Sequence, residues 1–320
     1  MQPVRLRLRW LMLPFEPQRV ARAGRLNIAG AVSMRKFILT LAISAVIPFA
    51  FAAPVRAASD PVDPGKNDTE LYAGWLKMYD LNFDDAHQTF AAWKHNYPDD
   101  ALGPASNAAA YLFSELARLG ALESELFVDD SRFKGRAKLR PDASKKALFV
   151  QEIAQADRLA DAALLKSGTD ANALFVKSLT FGLRADNAGL VEKQSLAALS
   201  YTKEGRAYAD RLMQVNPQAF DAYLGPGVEN YLLSLKSAPL RVLLRMTGSN
   251  VDREKGIAEI RQTALHGHYL EPFAKLLLGV AALRDNNPAR ARELLAELHQ
   301  RFPHNELYTR EMNRIDKGGH

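Results

Sequence analysis

The 320-residue chain has no cysteine. That excludes a disulfide framework, a cysteine-ligated zinc site and a cysteine nucleophile. It also excludes a lipid anchor attached through a cysteine at an export cleavage site. The compact catalytic motifs are missing as well. There is no Gly-x-Ser-x-Gly elbow and no His-Glu-x-x-His run, and Gly225-Pro226-Gly227 shares only its glycines with a phosphate loop. Past the N-terminal region no apolar run reaches the roughly 18 to 20 residues of a membrane span. With 16 prolines and 19 glycines the chain is also too poor in both to be disordered or collagenous.

Positive charge is scarcer than the total suggests. The formal net charge is +6, but residues 1–33 hold six arginines against Glu16, and residues 34–58 add Arg35, Lys36 and Arg56. Removing those five and three net charges leaves about −2 for residues 59–320. The basic pI therefore does not speak for nucleic acid, and no nucleic-acid partner is expected. An apolar content of 48% and a charged content of 24% are those of an ordinary folded core.

From Met34 the chain reads Met-Arg-Lys, then a nearly continuous apolar run over Phe37–Ala53, then Pro54-Val55-Arg56-Ala57. A short positive stretch, an apolar stretch and small residues at a cut site compose a secretory signal peptide. Residues 34–57 are read as that signal, with cleavage after Ala57, and residues 1–33 as an N-terminal extension from a mis-assigned start. The polar, turn-rich 58–68 is read as a flexible leader. The expected location is periplasmic or secreted, with no transmembrane segment in the mature chain.

What the remainder has is a repeat. Ala86, Phe90, Trp93 and Pro98 stand at spacings of four, three and five, repeated by Ala291, Leu295, Leu298 and Pro303 and by Gly205, Ala209, Leu212 and Pro217. Ala156, Ala160, Ala163 and Gly168 fit with glycine as the stop, and Gly256, Ile260 and Thr263 fit more loosely before Gly267. Spacings of four and three hold a set on one helical face. A small first residue admits a neighbouring helix, larger residues fill the groove, and Pro or Gly ends the helix. Gly74 and Gly279 each lie twelve residues before the small residue of their copy.

This pattern resembles the tetratricopeptide repeat (TPR) family, whose unit of about 34 residues is a helix–turn–helix. The copy at Glu271–His304 carries the resemblance best, followed by Glu70–Asp100; Ala282 replaces the aromatic residue expected late in the first helix. A broader likeness is to exported bacterial repeat proteins with segments such as Asp221-Ala222-Tyr223-Leu224-Gly225 and Asp252-Arg253-Glu254-Lys255-Gly256. The resemblance implies an all-α, right-handed α–α superhelix over residues 69–320, of about five TPR-like helix pairs and a terminal helix. Insertions are expected near 119–145, 185–191 and 237–251.

Periodicity, caps and prolines predict helices over 69–80, 83–96, 104–118, 146–166, 170–184, 192–215, 217–236, 252–265, 270–284, 288–301 and 304–315. Asp84, Asp170, Asn216-Pro217 and Asn287-Pro288 are read as starts. Almost no strand is expected.

First helices of such pairs line a concave surface. Tyr72, Trp75, Tyr79, Tyr111, Phe181, Tyr223 and Tyr231 fall on them, as groove anchors for a partner or as packing between helices. The mixed-charge stretch Leu119–Ser144 reads as a contact arm or a solvated loop, and 238–246 as a lid, a membrane foot or an extra core helix. His266, His268 and Glu271 are the one metal-like cluster; a polar turn explains them as well, and neither a metal nor a cofactor is expected.

The function expected is a non-catalytic scaffold or binding protein of the cell envelope, holding a peptide, protein or envelope component in a concave helical groove. A second reading is a helical hydrolase acting on envelope polymers through paired carboxylates. A third is a structural subunit of an envelope complex.

Overall fold

The structure is a computed structural model that describes residues 69–121, 140–235 and 252–318. Eleven α-helices, a π-helical turn and a 3-10 turn account for nearly all of them, and there is no strand among the described residues. In order they are α1 (Thr69–Tyr79), α2 (Phe83–Asn96), α3 (Leu102–Leu119), α4 (Ala143–Lys166), α5 (Ala171–Asp186), α6 (Ser195–Val215), α7 (Leu224–Ser234), α8 (Arg253–His266), α9 (Glu271–Arg284), α10 (Pro288–Arg301) and α11 (Glu306–Asp316). The π turn, Asn187–Val191, follows α5, and the 3-10 turn, Phe220–Tyr223, precedes α7.

Adjacent helices pack in pairs: α1 with α2, α3 with α4, α5 with α6, α7 with α8 and α9 with α10, while α11 packs on α10. The repeated residues explain the pairing, because every copy falls on a second helix and faces inward. Ala86 and Phe90 on α2, Ala156 and Ala160 on α4, Ala209 and Leu212 on α6, Ile260 on α8, and Ala291, Leu295 and Leu298 on α10 are all essentially without exposed surface. Burying a large side chain of this kind is worth about 1.5–3 kcal/mol. The small members set the helix separation. A Cβ at Gly74 would lie 2.4 Å from the Phe90 ring, and one at Gly256 would lie 2.6 Å from the Tyr231 backbone nitrogen.

Local chemistry fixes the ends. The side chains of Asp142, Asp170, Asp252, Asn287 and Asn305 accept backbone N–H groups of the helices they open. Pro272 and Pro288 occupy first turns, where a missing N–H costs nothing. Gly120 closes α3 in the left-handed conformation, φ 61°.

One expectation needs correction. Asn216-Pro217 does not start a helix. Asn216 is the C-cap of α6, its side chain accepts the Gln218 N–H, and helix resumes only with the 3-10 turn at Phe220. Pro217 lacks an N–H and drives its predecessor to extended backbone, so it stops the helix before it. The stretch 185–191, read as an insertion, continues α5 as the π turn, with Glu192 N–H donating to the Asn187 carbonyl five residues back. The expected insertion at 237–251, most of that at 119–145, the segment 238–246, the signal peptide and the leader lie outside the described residues. No described helix is long and apolar enough to cross a membrane.

A long-range closure joins the ends of the array. Asp80, just past α1, accepts the His304 backbone N–H at 2.9 Å, and the Asn305 side chain donates to the Tyr79 carbonyl at 2.9 Å. The first pair is thus bonded to the turn between α10 and α11.

Candidate binding site

The closure decides where the predicted aromatic residues go. Trp75 and Tyr79 are buried, and Tyr72 is half-buried. All three meet Tyr269, which sits in the turn between α8 and α9. Its ring lies 5.4 Å from Trp75, 6.4 Å from Tyr72 and 6.0 Å from Phe175, and its carbonyl accepts the Tyr79 hydroxyl at 2.9 Å. Trp75 Nε1 donates to Ser106 at 2.8 Å. Burial holds the Tyr79 hydroxyl well above its ordinary pKa, with Asp221 adding to the shift. Trp75 and Tyr79 therefore build the interior, and only Tyr79 also reaches a cavity.

The other four predicted residues are dispersed. Tyr111 packs on His87 with ring centroids 4.1 Å apart, beside a polar chain in which the Asn107 amide donates to Glu152. Phe181 lies between Tyr208 and Tyr201, with Lys177 and Arg184 over its ring. Tyr223 donates to the Pro217 carbonyl. Tyr231 is buried, with Arg253 and Arg284 each 6.0 Å from its centroid.

The turn that carries Tyr269 is held by Asp221, a residue with no role assigned from sequence. The backbone N–H groups of His268, Tyr269 and Leu270 all donate to the buried Asp221 carboxylate, at 3.0–3.2 Å. Asp221 thereby caps the N-terminus of α9 from a different element. Burial pushes its carboxyl up to about 6, against the pull of these same hydrogen bonds. The metal-like cluster separates: His266 packs on Phe220, His268 stacks on Tyr72 at 4.2 Å, and Glu271 pairs with Arg301 and Lys275. Among the described residues no three histidines and carboxylates gather as a metal site.

What remains open beside the closure is a cavity of about 330 Å³ between the first and last parts of the array. Its wall is apolar. Met78 and Tyr79 come from α1, Phe113 and Leu116 from α3, Phe273 and Leu276 from α9, and Leu307 from α11. The rings are fixed edge-to-face, Tyr79 on Phe113 at 5.9 Å and Phe113 on Phe273 at 5.5 Å. The rim is exposed: the polar His304, Glu306 and Arg310, with the small apolar Ala117. Its polar groups are paired, His304 Nδ1 with the Asp80 carboxylate at 2.6 Å and Arg310 with Glu306 at 2.9 Å. Pockets of this size and character are the usual form of small-ligand sites.

Tyr79 apart, the sequence reading missed these wall residues. Their signal was present as i, i+3 apolar pairs on predicted first helices, Phe113 with Leu116 and Phe273 with Leu276, but it reads equally as core.

A second, much smaller hollow of about 20 Å³ lies beside Tyr111. Its acids are committed elsewhere. Hydrogen bonds from Arg118 hold the Glu115 carboxyl below its usual range, and those from Ser144 and Lys145 do the same for Asp142. No protein-family model matches the chain, and no curated protein matches it.

Proposed function

We propose that this chain is an exported, periplasmic or secreted binding protein of TPR-like architecture, its helix pairs wound as a right-handed superhelix. It acts non-catalytically, as a scaffold that holds a component of the cell envelope. The observation that carries the reading is the 330 Å³ largely apolar cavity with a rim of paired polar groups, placed where the ends of the array meet. The paired helices and the repeated second-helix pattern support the architecture. The signal-like sequence from Met34 to Ala57 supports export.

No observation favours the hydrolase reading in the same way. Asp186, Asp221 and Glu259 have carboxyls raised by burial, and none of them lines either cavity.

Changing Tyr72, Trp75 and Tyr79 to alanine does not test the site, because Trp75 and Tyr79 are core. Ala117 does test it: it is exposed on the rim and borders the cavity. The full-length protein and its Ala117→Trp variant are incubated with envelope extract, and what each retains is identified by mass spectrometry. Capture by the native protein, lost in a variant of unchanged circular dichroism, is the expected result. Equal capture by both removes the cavity from the reading, and no capture by either overturns it.

A further inference from the structure

We propose that the cavity receives a single unbranched aliphatic chain on an uncharged head group. The inference rests on the binding reading above and names its ligand class. Volume sets the length. At about 30 Å³ per water-sized group, a cavity of about 330 Å³ holds roughly eleven non-hydrogen atoms. The wall sets the polarity. Met78, Leu116, Leu276 and Leu307 offer it no hydrogen bond, the Tyr79 hydroxyl is already donated to Tyr269, and the Asn305 amide already donates to the Tyr79 carbonyl and accepts the Leu307 N–H. A peptide backbone carried into this space would leave its N–H and C=O groups without partners, whereas methylenes lose nothing there.

Shape points the same way. Among the rings that line the cavity, Phe113 meets Tyr79 and Phe273 edge-to-face, and Met78 supplies an adaptable surface, which suits a flexible chain better than a rigid planar ligand. The rim sets the head group. His304 and Arg310 are each engaged by a carboxylate, so an anionic head would compete with Asp80 and Glu306. An ammonium head would meet the imidazole and guanidinium of the same pairs. A hydroxyl or ester can share these polar groups without displacing any of them.

The test is calorimetric titration of the full-length protein with straight-chain primary alcohols of increasing length. Affinity should rise about fourfold per added methylene, the value of about 0.8 kcal/mol per buried CH₂, and level off near ten to twelve carbons. Ala117→Trp should weaken binding at least tenfold. Leu116→Phe, which fills the cavity from inside, should move the plateau to shorter chains. Far-ultraviolet circular dichroism confirms that each variant is folded.

No dependence on chain length, or no effect of either variant, overturns the proposal. Binding to dioleoylphosphatidylcholine vesicles without binding of free alcohols overturns it in favour of a membrane surface. If alcohols fail while Ala117-dependent capture from envelope extract persists, the ligand class is wrong and the binding reading stands. If both fail, both are wrong.

Discussion

The Tyr79 hydroxyl donates to the Tyr269 carbonyl at 2.9 Å, across 190 positions of sequence. An array of helix pairs in which each pair touches only its neighbours has no such bond. Here the last turn of α1 is fastened to the turn before α9, and the adjoining Phe302 ring packs 5.7 Å from Tyr79. Tyr79→Phe keeps the ring and removes the bond, leaving a buried carbonyl unsatisfied. The expected cost is about 1–2 kcal/mol, a fall in Tm of about 2–6 °C for a chain of this size. Differential scanning calorimetry measures it.

Asp221 serves three N–H groups at once. Asp221→Ala leaves all three without a side-chain acceptor, and a destabilisation of about 3 kcal/mol or more is expected. Urea titration gives the magnitude. Hydrogen exchange should locate the change, with His268, Tyr269 and Leu270 amides losing protection before the helices do.

Gly74 and Gly279 occupy equivalent places in their repeats and should respond oppositely to alanine. A Cβ at Gly74 meets the Phe90 ring at 2.4 Å, while one at Gly279 meets the nearest atoms at 3.9–4.0 Å, ordinary van der Waals contact. Gly74→Ala is expected to destabilise by about 1–3 kcal/mol through overpacking. Gly279→Ala should stabilise by up to about 1 kcal/mol through helix propensity. Chemical denaturation of both variants decides it, and equal signs would refute the packing account.

Asp186 closes α5, and burial alone pushes its carboxyl up to about 7, from an ordinary value of 3.8. Between those values the folded chain binds the proton more than the unfolded chain does. Its contribution to stability is therefore full below about pH 4 and lost as pH rises through about 7. Asp186→Asn does not titrate, so it should match the native protein near pH 4 and exceed it at pH 8. For a half-buried group the gain is on the order of 2 kcal/mol. Denaturation midpoints across that pH range measure it; a constant difference would show that the carboxyl is not the cause.

The second helices were legible because their determinants are local. Ala291, Leu295 and Leu298 mark one face, Asn287 and Pro288 begin the helix and Pro303 follows its end, all within 17 residues. The predicted span 288–301 is the observed one. The same proximity explains the error at Pro217: a proline suits both a helix's first turn and the residues just beyond its end, and the neighbours do not choose between them.

The first helices were legible as helices, but the destination of their aromatic side chains was not. Trp75 and Phe181 both stand on apolar faces of first helices, yet Trp75 has no exposed surface and Phe181 is half-buried among cations. The difference within one turn is only in the flanking positions: Lys177 and Arg184 stand four before and three after Phe181, where Trp75 has Leu71 and Met78. Asp221 likewise reads as a polar residue in a turn, because its three donors lie 47–49 positions away.

The sequence by itself determined the helices, their pairing and the close approaches at glycine, since periodicity, capping and side-chain volume act over a few residues or between neighbours in the chain. Only the tertiary structure decided that α1 meets the α10–α11 turn, that the Tyr269 turn fills the space between α1 and α5, and that a cavity persists beside Phe113 and Phe273. Those outcomes depend on contacts between residues far apart in the chain, such as Tyr79 with Tyr269 and Asp80 with His304, which leave no periodic mark on the sequence.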